Sequence, residues 1–147
     1  MSWQDHLVIA PIILPLIAGA TMLLFDGRSR TVAAVLNLVS TFALLAIAIS
    51  LVTTSGGPDP AAAVRVYRLG DWPAQFGIVL VADRLSSMML LLTAILACAA
   101  LIFSLARWHR SGSYFHPLFQ FLLMGLNGAF LTGDLFNLFV FFEVLLA

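Results

Sequence analysis

Long apolar runs recur along this chain, and they constrain its fold more than any other feature of the sequence. The runs occupy residues 7–25, 32–53, 85–108, 115–132 and 134–147. A helix of about 20 apolar residues crosses the roughly 30 Å hydrocarbon core of a bilayer. Hydrophobic residues make up 62% of the chain and charged residues only 10%, whereas soluble domains carry about 25% charged residues. The sequence therefore predicts an all-α transmembrane segment spanning residues 1–147, with four complete helices and a fifth cut short at Ala147.

The first run is predicted to be a retained transmembrane helix and not a secretory signal. A signal peptide begins with basic residues, and residues 1–6 contain none. The run also contains Pro11 and Pro15. A proline in a membrane helix leaves a backbone carbonyl without its intrahelical donor. We therefore expect a neighbouring helix to pack against this segment and to satisfy that carbonyl.

The one long polar stretch, residues 55–84, is predicted to contain a β-hairpin. Two β-prone runs, residues 64–69 and 76–81, flank a turn at Gly70-Asp71-Trp72-Pro73. Short β-prone runs on either side of such turn residues are typical of a hairpin. Because this stretch joins two apolar runs, we expect the hairpin to lie on one face of the membrane.

The arginines predict the orientation of the chain. The two short loops after the first and third helices contain Arg28, Arg30, Arg107 and Arg110, and the long loop on the other side contains three arginines. Basic residues in short loops favour the cytoplasmic side. We therefore expect a multi-pass protein of the bacterial cell membrane, with the N-terminus and the hairpin outside. The net charge is zero, so nothing in the charge balance indicates a nucleic-acid partner.

Glu143 is the principal candidate functional residue, because it is a carboxylate inside an apolar run. It lies nine residues after Asp134, which at about 1.5 Å per residue places it about 13–14 Å along the fifth helix. That depth is close to the bilayer midplane. An ionisable residue there is by default a functional hypothesis. The structural alternative is a neutral carboxylic acid that hydrogen-bonds a neighbouring helix.

Two further candidates have simpler explanations. Asp134 follows Gly133 and precedes an apolar run, which favours an N-cap over a position in an ion pathway. His116 begins the fourth run, where the alternatives are an interfacial histidine and a proton relay at a channel mouth. Asn137 is expected to hydrogen-bond another helix. The small residues Gly125, Gly128 and Ala129 predict close approach of another backbone.

The last two runs resemble a known family. Residues 125–145, GLNGAFLTGDLFNLFVFFEVL, are similar to the fourth and fifth helices of the D-type component of Mrp-type multisubunit Na⁺/H⁺ antiporters, whose wider relatives are the antiporter-like subunits of respiratory complex I. The segments PIILPLI at 11–17, LGDWPAQFGI at 69–78 and DRLSS at 83–87 also match. The resemblance covers nearly the whole chain. Because the family fold has fourteen helices, the chain is similar only to the N-terminal third of that fold.

The resemblance implies a function and a set of partners. Glu143 matches the family's membrane-embedded, proton-carrying glutamate, which works with a lysine on a later broken helix. The implied activity is Na⁺/H⁺ antiport within a hetero-oligomer of Mrp-type subunits, with no enzymatic chemistry, cofactor or metal. Two alternatives remain open at the level of sequence. One is a proton-pumping subunit of an NADH–quinone oxidoreductase or hydrogenase complex. The other is a structural or assembly subunit that transports nothing.

Overall fold

The protein is described by a computed structural model that covers residues 6–24, 30–55, 64–71, 77–107 and 114–146. These residues form five α-helices and one two-stranded sheet, so the predicted helical fold with a small hairpin is confirmed. In chain order the elements are α1 (Ala10–Leu24), α2 (Arg30–Thr54), β1 (Arg65–Arg68), β2 (Val79–Ala82), α3 (Arg84–Arg107), α4 (Phe115–Leu131) and α5 (Leu135–Leu146). The turn predicted at Trp72-Pro73 and the loop residues Arg28 and Arg110 lie outside the described residues.

Helices α2 and α3 are long and apolar enough to cross a membrane. The other described helices are also apolar but shorter, with 15 residues in α1, 17 in α4 and 12 in α5. Helix α1 begins at Ala10, three residues later than predicted, and Pro11 follows at once. Proline is favoured in the first turn of a helix because its missing N–H has no intrahelical partner to lose there.

Helix α1 packs along α4, as its prolines predict. Pro15 lacks the N–H that would normally bond the carbonyl of Pro11, four residues earlier. The side-chain amide of Asn127 on α4 donates to that carbonyl at 2.9 Å. One turn further along α1, Gly19 lies against the ring of Phe121, where an added Cβ would be 3.1 Å from the ring carbons. The predicted interhelical contact is therefore present, and Asn127 satisfies the carbonyl.

The hairpin of β1 and β2 packs against the helical bundle. Its strands are antiparallel, with Arg65 opposite Ala82 and Arg68 opposite Val79. Gly70, just after β1, adopts the left-handed backbone conformation at φ 67° that favours glycine. The inward-facing residues of the hairpin join the core that the helices share; this core includes Val8, Leu51, Tyr67, Leu80, Leu90 and Leu131.

Asp83 connects the hairpin to α3 as an N-cap. Its carboxylate accepts a hydrogen bond from the backbone N–H of Ser86 at 2.6 Å. The bonds from Ser86 hold the pKa of Asp83 below its usual value. A side chain at this position satisfies one of the donors that the first turn of a helix leaves free. The hairpin and α3 are thus joined without a flexible linker.

Candidate functional site

The turn between α4 and α5 is stabilised by hydrogen bonds at the end of α4 and at the start of α5. Helix α4 ends at Leu131, and Thr132 follows as its C-cap, with its backbone N–H donating to the carbonyl of Gly128. Asp134 then caps α5, because its Oδ1 accepts from the backbone N–H of Asn137 at 2.7 Å. Its other carboxylate oxygen accepts from the side-chain amide of Asn137. The capping role predicted for Asp134 is present, and both of its oxygens are engaged in it.

The partner of Asn137 differs from the prediction. An interhelical hydrogen bond was expected, but its side-chain amide donates to Asp134, the N-cap residue three positions earlier. Local side-chain bonds of this kind are common at helix N-termini because the first turn leaves backbone donors free. Asn137 therefore belongs to the cap of α5.

The hairpin contacts the same turn. The backbone N–H of Gly133 donates to the carbonyl of Val79 on β2 at 2.8 Å. Leu80 on β2 also forms an antiparallel bridge with Thr132. Because β1 occupies the other edge of β2, the α4–α5 turn lies along the remaining edge of the sheet. The sequence pattern gave no indication of this contact.

Two glycines of α4 determine how α5 is rotated. A Cβ added to Gly128 would overlap the ring of Phe141. A Cβ added to Gly125 would be 2.9 Å from the side chain of Leu145. The predicted close approach at these small residues is thus made by α5, which presents Phe141 and Leu145 to α4. The gap where each glycine lacks a side chain is filled by an α5 side chain.

This rotation directs Glu143 away from α4. Residues two positions apart on a helix differ by about 200°, so Glu143 lies on the opposite side of α5 from both Phe141 and Leu145. Its side chain is exposed. The residues that share this exposed face are large and apolar; they are Phe136, Phe139, Val140 and Leu146. The candidate carboxylate therefore lies within an apolar surface of the described chain.

His116 lies in a buried polar cluster between α2 and α4. Its side chain is only 4% exposed, so His116 does not lie at the surface of the described chain. The amide of Asn37 donates to Nδ1 of His116 at 2.9 Å. Asn37 in turn accepts from the amide of Gln120 at 2.6 Å, and Gln120 accepts from the hydroxyl of Ser40 at 3.0 Å.

The structure does not bring His116 and Glu143 together. On α4, His116 precedes Gly125 by nine residues, which places the two about 180° apart around the helix. Gly125 faces α5, whereas His116 faces α2. Asn37 and Gln120 were not expected to be site residues. Their spacing carried a signal, since Asn37 and Thr41 on α2, like His116 and Gln120 on α4, are four residues apart and so share a helix face.

Comparisons with known proteins find similarity to D-type components of cation/proton antiporters and also to the N subunit of an NADH-quinone oxidoreductase. The chain is 54% identical over 149 residues to the D-type component of a probable K⁺/H⁺ antiporter of Rhizobium meliloti, covering 99% of this chain and 27% of that protein. It is 42% identical to the D-type component of a Na⁺/H⁺ antiporter of Alkalihalophilus pseudofirmus, covering 97% of this chain and 28% of that protein. No protein-family model matches the chain.

A solved structure agrees with these relatives. The chain superposes on one chain of the Mrp complex from Dietzia sp. DQ12-45-1b with a TM-score of 0.84 and 29% identity. The match covers 99% of this chain and 26% of that chain. The chain thus spans about a quarter of the length of the proteins that it matches.

Proposed function

Because this chain is a homologue, over nearly all of its own length, of the D-type components of Mrp-type cation/proton antiporters, we propose that it forms part of such a component. The activity proposed is exchange of a monovalent cation for protons across a bacterial membrane. The two relatives are named for different cations, K⁺ and Na⁺. The proposal therefore covers both ions, and the transport assay below measures each.

Glu143 is the residue that we assign to the proton. The observation that carries this assignment is a carboxylate on the exposed apolar face of α5, among Phe136, Phe139 and Val140. A charged side chain at the centre of a membrane helix costs about 2.5–3.5 kcal/mol on insertion scales. Such a group is stabilised when it is neutral or when a partner faces it. A carboxyl group that alternates between these two conditions is suited to taking up and releasing a proton.

The partners follow from the same face. The described residues place no charged group beside Glu143, and its face is open on this chain. We propose that a further part of the antiporter complex covers this face and supplies the cationic partner. Other Mrp-type subunits complete a hetero-oligomer in the bacterial cell membrane. The N-terminus and the hairpin lie on the outer side in this proposal, as the arginines of the short loops indicate.

The test is substitution of Glu143→Gln in the complete complex. Glutamine keeps the size and hydrogen-bonding capacity of the side chain but cannot carry a proton. We expect loss of Na⁺- and K⁺-driven pH change in everted membrane vesicles, with normal amounts of assembled complex. Asp134→Asn is the matched control, because asparagine keeps the oxygen that caps α5, and the amide of Asn137 can turn to accept from the new side-chain N–H. We expect it to retain antiport.

Each alternative function has its own outcome in this assay. Retained antiport in Glu143→Gln would contradict the proposed role and favour a structural subunit. Loss of antiport in Asp134→Asn would indicate that Asp134, at the start of α5, takes part in the proton pathway. A complex that purifies with flavin or iron–sulfur proteins and pumps protons on oxidation of NADH would favour the oxidoreductase alternative.

A further inference from the structure

The start of α5 is held by the hairpin through backbone contacts. The Gly133 N–H bonds the Val79 carbonyl at 2.8 Å, and Thr132 bridges to Leu80. Leu80 is 1% exposed and belongs to the main core. The turn is therefore attached to a strand that is itself fixed by buried packing, and not to a solvated loop.

Glycine at position 133 is required by this close approach. A Cβ added there would be 2.8 Å from Cγ2 of Val81 and 3.2 Å from the carbonyl oxygen of Val79. Among the described glycines a positive φ occurs at Gly70 and not at Gly133. The backbone conformation therefore accommodates any residue, and the lack of room is what excludes a side chain.

Two contacts together define the position of Glu143. The glycines of α4 receive Phe141 and Leu145 and fix the rotation of α5. The bonds at Gly133 and the cap at Asp134 fix where the helix begins. Since α5 is a continuous helix of 12 residues, a displacement at its first turn is carried to Glu143, about 13–14 Å further along its axis.

We infer that the hairpin is a positioning element for Glu143, and that Gly133 is the residue through which it acts. This inference rests on the proposed role of Glu143 in proton transfer. Its physical basis is that the free energy of a carboxylate in a membrane depends on its depth and on the groups that face it. If α5 begins at a different depth in the membrane, the carboxyl group of Glu143 also lies at a different depth and faces different groups. The hairpin would then influence transport although it contributes no side chain to the proton pathway.

The test is Gly133→Ala in the complete complex, with transport measured per assembled complex. The added methyl group forces the turn and β2 apart. We expect the maximal antiport rate to fall on the order of tenfold, which is less than the roughly 100-fold loss that misplacement of a reacting group by about 1 Å can cause. We also expect the pH profile of antiport to be displaced along the pH axis. Removing the obstructing methyl groups in Gly133→Ala/Val81→Ala is expected to recover most of the rate and the original profile.

Two further variants keep the inference open to refutation. Val81→Leu enlarges the hairpin side of the contact and is expected to displace the pH profile as well, even if Gly133→Ala fails to assemble. Val64→Ala is the matched control, since Val64 is 48% exposed and lies just before β1, outside the residues that pair with β2; it is expected to leave transport unchanged.

Unchanged rate and pH profile per assembled complex in both Gly133→Ala and Val81→Leu would overturn the inference. So would normal transport in Val81→Leu where Gly133→Ala does not assemble. Retained antiport in Glu143→Gln is a different result, because it refutes the proposed role of Glu143 itself. The two failures are therefore distinguishable.

Discussion

His116 is held by a directional chain of hydrogen bonds. Ser40 donates to Gln120, Gln120 donates to Asn37, and Asn37 donates to Nδ1 of His116. An amide N–H can only donate, so Nδ1 accepts the bond from Asn37. The cluster gives the buried histidine a structural role as a hydrogen-bond acceptor. Buried polar groups contribute to stability when their hydrogen bonds are satisfied.

Replacing His116 separates a structural role from proton relay. Asparagine supplies an acceptor near the position of Nδ1 but cannot be protonated. We expect His116→Asn to keep the antiport rate and its pH profile, because the bond from Asn37 is preserved. His116→Leu leaves that amide without its acceptor and is expected to lower the stability of the complex by about 1–3 kcal/mol. Thermal unfolding in detergent and vesicle transport measure the two effects. A changed pH profile in His116→Asn would identify a relay.

At the scale of elements, α1 and α4 are joined by a polar contact at the carbonyl that Pro15 leaves without a hydrogen bond inside α1. Asn127 bonds the carbonyl of Pro11, which Pro15 leaves without an intrahelical donor. We expect Asn127→Leu to destabilise the protein by about 1–2 kcal/mol, since polar contacts between membrane helices contribute amounts of this order. In a Pro15→Ala background the helix supplies its own donor. In that background Asn127→Leu should lower the free energy of unfolding by a smaller amount.

A double-mutant cycle in thermal unfolding measures this coupling. The four proteins are the native protein, Asn127→Leu, Pro15→Ala and the pair. We expect the two substitutions to be coupled by at least about 0.5 kcal/mol, as is usual for residues that share a partner. Additive effects would show that Asn127 stabilises the α1–α4 contact by packing alone.

The helices and the hairpin were predictable from sequence because neighbouring residues in the chain determine them. Long apolar runs predicted the helices, Gly70 and its neighbours predicted the hairpin, and Pro15 predicted that α1 needs a donor from outside. Gly125 and Gly128 predicted a close contact. The identity of each partner was not predictable, because the pairing of β2 with Gly133 joins segments more than fifty residues apart. Hydrophobic periodicity can show which face of a segment is buried, but it does not identify the segment that packs against that face.

On the scale of the whole molecule, the outward faces of α1 and α5 differ in one respect. The outward side of α1 is apolar and includes Ile13, Leu16 and Ile17, with no charged residue in the helix. Such a surface is stable against lipid tails. The outward side of α5 is equally apolar but contains Glu143. A carboxyl group facing lipid is unfavourable, so this side is the one that should be covered by protein.

Photo-crosslinking in the assembled complex tests that expectation. A benzophenone amino acid replaces Phe139, which is 64% exposed on the face of Glu143, or Ile17, which is 56% exposed on α1. We expect the probe at position 139 to give adducts with peptides from outside residues 1–147, identified by mass spectrometry, and the probe at position 17 to give mainly lipid adducts. Lipid adducts from both positions would mean that Glu143 faces the bilayer. The carboxyl group would then be neutral and hydrogen-bonded locally, and proton transfer through a covered pathway would not involve this helix.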